Sequence, residues 1–271
     1  MKKRSAFKIK PVFLLMAAAI LLVASTVGST QAALTYYSEN YMAEVTVSNI
    51  GVKLLENGAE VSRRNYINEK GKIWDDTNDG TLFASGKLKE VCADGTIKDV
   101  NAADLVLGKK YQEELKVENS GAIDSYVRMV ITKSWKDANG KKDTTLSPAL
   151  IDLELNTTDT EGNVVWIKDD KASTTERIVL YYKNILEVGE TTPACTKTVR
   201  IDPAIGTKVV ETVSTDANGL KTITFVYEYD GYDFYIEAEV DAVQTHNAVD
   251  AIKSAWGVDV TIAEGKITGV N

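Results

Sequence analysis

Histidine occurs once in these 271 residues, at His246, and cysteine twice, at Cys92 and Cys195. That scarcity bears directly on chemistry. An H-E-x-x-H zinc site needs two imidazoles on one helical face, and the familiar Cys/His zinc clusters need four such ligands unless carboxylates join them. There is also no G-x-S-x-G nucleophile turn and no phosphate-binding Gly-Lys-Ser/Thr loop. A Cys–His nucleophile pair has no supporting local motif around Cys92, Cys195 or His246. No internal repeat, low-complexity tract or linker divides the sequence. Catalysis of the common kinds thus has little to stand on.

What is present begins with an export signal. Lys2, Lys3, Arg4, Lys8 and Lys10 precede an almost wholly apolar run from Val12 to Val27, and small residues follow at Gly28, Ser29, Ala32 and Ala33. Residues 1–32 read as a signal peptide, with cleavage expected near Ala32 or Ala33. An uncleaved anchor is the other reading, because the run approaches the ~20 residues that span a bilayer. No cysteine lies at the junction, so a lipid anchor is not expected. Lys266 to Asn271 carry no apolar tail, so none is expected there either.

The signal holds five of the 31 basic residues and no acidic one, which leaves 26 basic residues against 39 acidic ones, a formal charge of −13. Such a surface disfavours nucleic acid and anionic lipid and favours solubility or cations. In an exported chain Cys92 and Cys195 could form one bridge or remain two unpaired thiols; their separation of 103 positions in sequence leaves both open.

Asn-Gly or Asp-Gly pairs at 57–58, 79–80, 94–95, 139–140, 218–219 and 230–231 punctuate the sequence and suit tight hairpins. Between them, β-rich or alternating stretches predict strands at 44–47, 52–55, 114–117, 126–132, 151–155, 164–167, 178–182, 196–201, 222–227, 235–240 and 258–262. One helix is predicted, capped by Asn247 and closed by Gly257, with Val249, Ile252 and Trp256 on its apolar face. Residues 67–104 read as loops and short helices inserted between early strands. The expected class is all-β: a two-sheet antiparallel sandwich or jelly roll formed by residues 49–271 as a single domain.

Metal candidates are few. Glu237, Glu239 and Asp241 alternate along one predicted strand and could gather a hard cation such as calcium; the same alternation describes a solvated strand face, with Ile236, Ala238 and Val240 turned to the core. His246 stands beside the helix start, where a capping or surface role competes with metal ligation. Asp75 to Gly80 has the opening of a calcium loop, but Gly86 occupies the place of its closing Glu.

Glu237 to Ala248, followed by Ser254-Ala255-Trp256-Gly257, resembles the C-terminal region of the TasA and camelysin-like exported proteins. Gly28 to Thr35 is similar to the signals processed by the dedicated peptidase SipW, although Leu34 stands where relatives often carry an aromatic residue. Val117 to Gly121, Tyr126-Val127-Arg128, Leu180 to Lys183, Gly189 to Pro193 and Ile201-Asp202-Pro203 extend the likeness over most of the chain, least securely over 67–104.

The resemblance implies a jelly roll exported by a Gram-positive bacterium and built into biofilm-matrix fibres, with the chain itself or related subunits as partners and cell-wall or matrix polysaccharide nearby. It implies that the freed segment 33–48 pairs as a donor strand with the next subunit, through Leu34, Tyr37, Tyr41, Ala43, Val45 and Val47. Glu44 to Ser48 reads equally as a first strand of its own subunit. The resemblance also implies an alternative, a camelysin-like surface metalloprotease; a monomeric adhesin or carbohydrate-binding module is a third reading.

Overall fold

The computed structural model describes residues 50–65, 82–83, 87–92, 94–101 and 104–271, all within a unit spanning Ser48–Asn271. The export segment with Ala32 and Ala33, the donor stretch 33–48 and the loop Asp75–Gly80 lie outside the described residues. Among the described residues no helix is long and apolar enough to cross a membrane.

The structure is mostly β, in several antiparallel sheets, compatible with an all-β sandwich. One four-stranded sheet runs β3 (Leu82–Phe83), β2 (Ala59–Asn65), β1 (Gly51–Glu56), β7 (Leu115–Asn119). A five-stranded sheet runs β10 (Ile151–Leu155), β13 (Thr196–Ile201), β6 (Lys110–Gln112), β4 (Lys89–Val91), β5 (Ile97–Asp99). The largest pairing lies in a third sheet: β11 (Trp166–Lys168), β12 (Arg177–Tyr182), β8 (Ser125–Asp137), β16 (Tyr232–Gln244), with β9 (Lys142–Asp143) beside the end of β8. Two hairpins complete the set, β14 (Val209–Thr215) with β15 (Lys221–Tyr227), and β17 (Val260–Ala263) with β18 (Lys266–Val270).

Strand β8 is buried on both faces over most of its length, and its apolar residues, Tyr126, Val127, Met129, Val130, Ile131 and Trp135, fall on both. Successive side chains alternate faces, so Val127, Met129, Ile131 and Trp135 enter the main core, while Tyr126 and Val130 enter a second cluster on the opposite side. The main core is shared with the other sheets through Leu54, Val117, Ile151 and Val199. Several polar groups beside it are satisfied locally. Trp166 Nε1 donates to the Pro193 carbonyl at 3.0 Å and Lys133 Nζ to the Ile151 carbonyl at 2.6 Å, and burial lowers the pKa of that ammonium. The fully buried Asn119 donates to the carbonyls of Ile123 and Leu186 and accepts from Gly121 N–H, so its amide ties the 120–124 loop to the segment around Leu186.

The second cluster is covered by helix α1 (Ala248–Trp256) and the β17–β18 hairpin. Two sequence expectations change here. Asn247 occupies the N-cap position in left-handed conformation and makes no cap hydrogen bond; its amide donates instead to Asp250 at 3.1 Å. Val249 is exposed, and the buried stripe is Ala248 and Ile252 flanked by Ala251 and Trp256. Gly257 closes the helix in left-handed conformation, as expected.

The described parts of residues 67–104 contain the short strands β3, β4 and β5 in place of the expected loops and helices. Both cysteines are free: Cys92 is half-buried, and Cys195 is fully buried with its sulfur 3.1 Å from that of Met129. Burial pushes the Cys195 thiol far above its usual range.

A close approach sits where the Leu107-Gly108 turn meets the 3-10 turn Pro203–Thr207, which Asp202 caps by accepting from Ala204 N–H. Gly108 has φ +80°, and a Cβ there would lie 2.8 Å from the Pro203 ring. Gly140, at φ +75°, faces open space. Gly108→Ala is expected to cost about 2 kcal/mol or more and Gly140→Ala about 1 kcal/mol, the difference being the ring clash, as read by urea denaturation.

Candidate assembly site

A cavity of about 690 Å³ opens between the end of the five-stranded sheet and the start of β16. Leu88, Val100, Ile201 and Ile205 form one wall and Trp135, Tyr229, Tyr232 and Phe234 the other. The aromatic groups are fixed by their own contacts. Trp135 meets Tyr229 edge-on at 4.9 Å and Phe234 at 6.4 Å between ring centroids. The polar ends of Trp135 and Tyr229 are used elsewhere: Trp135 Nε1 donates to the Ser147 carbonyl, and the Tyr229 hydroxyl accepts from Ser147 N–H. The recess therefore presents mainly carbon, which suits apolar side chains or the flat faces of ring-shaped ligands.

Strand β16 leads away from this cavity. It pairs with β8 over all thirteen residues without a shift, and among the described residues β8 is its one strand partner. Its core-facing row, Phe234, Ile236, Ala238, Val240 and Ala242, packs on the main core yet stays only partly buried. A long edge strand with an incompletely covered apolar row is a template for one more strand. Ile50, where the described chain begins, lines a smaller recess of about 120 Å³ with Val52, Val240, Ala242 and Trp256. The first described residue, Ile50, thus stands beside the far end of β16.

The metal candidates are not gathered. Glu237 is held by Lys136 at 2.7 Å. Asp241 is held by Arg128 through Nε at 2.9 Å and Nη2 at 2.5 Å, while that guanidinium also lies over the Trp256 ring. Glu239 is exposed opposite Val130, and His246 is exposed in the turn before α1. Among the described residues no group of three or more His, Cys, Asp or Glu side chains is placed to hold a metal ion. The predicted inward row Ile236, Ala238 and Val240 does face the core. The assembly candidates Leu34, Tyr37, Tyr41, Ala43, Val45 and Val47 lie outside the described residues.

One carboxyl pair went unread in the sequence. Glu113, 4% exposed, lies within hydrogen-bond reach of the Glu56 carboxyl and of Asn57, and its Oε2 is buried without a hydrogen-bond partner. Burial, and then the neighbouring Glu56 carboxylate, push Glu113 up to about 8; burial also raises Glu56. Two carboxyls sharing one proton is an acid–base motif in catalytic clefts, but this pair does not line the aromatic cavity and sits where β1 ends against β7. The aromatic cavity also escaped the sequence reading, since its walls come from segments more than a hundred residues apart in the chain.

No family model, curated protein or solved structure matches this chain.

The carboxyl pair sets a pH dependence. Because Glu113 binds its proton more tightly when folded, its contribution is fully present below about pH 4.5 and is lost as pH rises toward about 8. Stability should therefore fall between pH 5 and pH 8 by an amount on the order of 1.4 kcal/mol for each unit of displaced pKa. Glu113→Gln should flatten that fall in denaturation curves compared across the two pH values.

Proposed function

We propose that this chain is an exported structural subunit of the TasA-like kind, a two-sheet jelly roll that assembles into extracellular matrix fibres of a Gram-positive bacterium. The observation that carries the reading is the β16 edge: thirteen residues paired on one side, with the core-facing row from Phe234 to Ala242 only partly covered. In this reading a SipW-type peptidase cuts near Ala32 or Ala33 and frees Leu34 to Ser48. The freed segment from one copy lies along β16 of the next. Its main chain satisfies the edge, while Tyr37, Tyr41, Ala43, Val45 and Val47 supply apolar side chains at alternate positions. A head-to-tail contact of this type does not close and so propagates as a filament.

The formal charge of −13 after cleavage supports solubility of the free subunit outside the cell. Calcium is the lesser proposal, through Glu237, Glu239 and Asp241, of which Glu237 and Asp241 are already paired with Lys136 and Arg128. The aromatic cavity favours a second reading, a carbohydrate-binding module, because sugar rings stack on exposed aromatic faces such as Tyr227 and Tyr235.

Electron microscopy of the processed chain tests the main reading. Fibres are expected from the chain starting near Leu34, and deletion of Leu34 to Tyr41 should abolish them while leaving a folded monomer. Fibres that persist after the deletion overturn donor pairing. Glycan binding by an inert monomer would favour the second reading, and chelator-sensitive casein cleavage lost in His246→Ala would favour the camelysin-like protease.

A further inference from the structure

The β14–β15 hairpin stands apart from both hydrophobic clusters, and every residue of its two strands is exposed. Directly paired residues share a face, so the register divides the hairpin into two unlike sides. One side carries the pairs Val210–Val226, Thr212–Thr224 and Ser214–Thr222, largely hydroxyl-bearing. The other carries Val209–Tyr227, Glu211–Phe225, Val213–Ile223 and Thr215–Lys221. Five large apolar residues thus form a stripe on one face; Phe225 is 61% and Ile223 54% exposed. A two-stranded hairpin without a packed face is marginal in water, and contiguous apolar surface of this kind marks an interaction site.

The charges on that face indicate the partner. Glu211 lies one row to one side of the Val213–Ile223 pair, counting rows on the same face, and Lys221 one row to the other. A two-fold axis through the Val213–Ile223 row, perpendicular to the strands, turns the Glu211 row of one copy onto the Lys221 row of another. Each copy then brings an acid toward the other's base while the Val213, Ile223 and Phe225 side chains interlock. The face is complementary to itself. An anionic lipid surface fits it less well, because the chain is acidic overall, with a formal charge of −8.

We propose that this face of the β14–β15 hairpin packs against the same face of a second copy of the chain, an isologous contact separate from the β16 edge. It closes on itself as a pair, whereas edge pairing does not; in a fibre it would join neighbouring filaments sideways. The contact is small, so it is weak and concentration-dependent.

Sedimentation of the purified chain over a hundredfold range of concentration is the test, with Leu34 to Tyr41 deleted in a parallel sample so that edge assembly and hairpin pairing are read separately. Reversible pairing is expected in both. Glu211→Lys and Lys221→Glu should each weaken it about tenfold or more, and the double reversal should restore it, because like charges then meet in each single variant and opposite charges in the double. Phe225→Ser should also abolish pairing without unfolding the chain, since the side chain is exposed. The proposal is overturned if the chain stays monomeric throughout, if the double reversal fails to recover what the singles lose, or if Phe225→Ser instead abolishes binding to vesicles or glycans by a chain that does not pair.

Discussion

Both hydrophobic clusters are built on the same thirteen residues. Because β8 is buried on its two faces, a slip of one position would drive Arg128 and Thr132 into the main core and expel Met129 and Ile131 from it. The register is therefore set at every pair along β8, and β12 and β16 inherit it. This is why the outer edge of β16 is defined in space although no described strand pairs with it: its row from Phe234 to Ala242 follows from the β8 pairing. Asp241 stands directly across from Arg128 for the same reason. Held between that carboxylate and the Trp256 ring, the guanidinium links the sheet to α1 at a place where a salt-screened surface pair would contribute little.

Strands whose two faces differ sharply were legible in the sequence. Ile151–Leu155 and Thr196–Ile201 appear with the expected limits, and the helix after Asn247 has the expected extent. Elements that depend on their neighbours were not. Lys110–Gln112 is too short to show a period, and it is a strand because β13 lies beside it. Val209–Thr215 is mixed in pattern on both faces, so alternation could not find it; its β-branched composition was the available signal. The hairpin turn at Glu264-Gly265 was missed because both residues adopt positive φ with Glu in a place that Asn or Asp normally fills.

The site was legible in part for a physical reason. An alternating acidic strand announces which side chains point outward, and Glu237 and Glu239 do so. It does not announce which cations hold Glu237 and Asp241, since Lys136 and Arg128 are a hundred residues or more away in sequence. Nor can pattern reveal a cavity assembled from Leu88, Ile201 and Phe234, which come from two different sheets and the segment before β4. The Glu56–Glu113 pair is hidden in the same way: each looks like an ordinary polar position until β1 and the β6–β7 connection bring them together.

The two thiols carry a consequence for how the chain matures. Cys195 is sealed against Met129 with its proton tightly held, and Cys92 lies elsewhere in the fold without a sulfur partner. Packing, backbone pairing, side-chain hydrogen bonds and ion pairs hold the described fold, and no disulfide crosses it. Nothing in the described fold waits on sulfur oxidation, so the same packing serves in reducing and in oxidising surroundings.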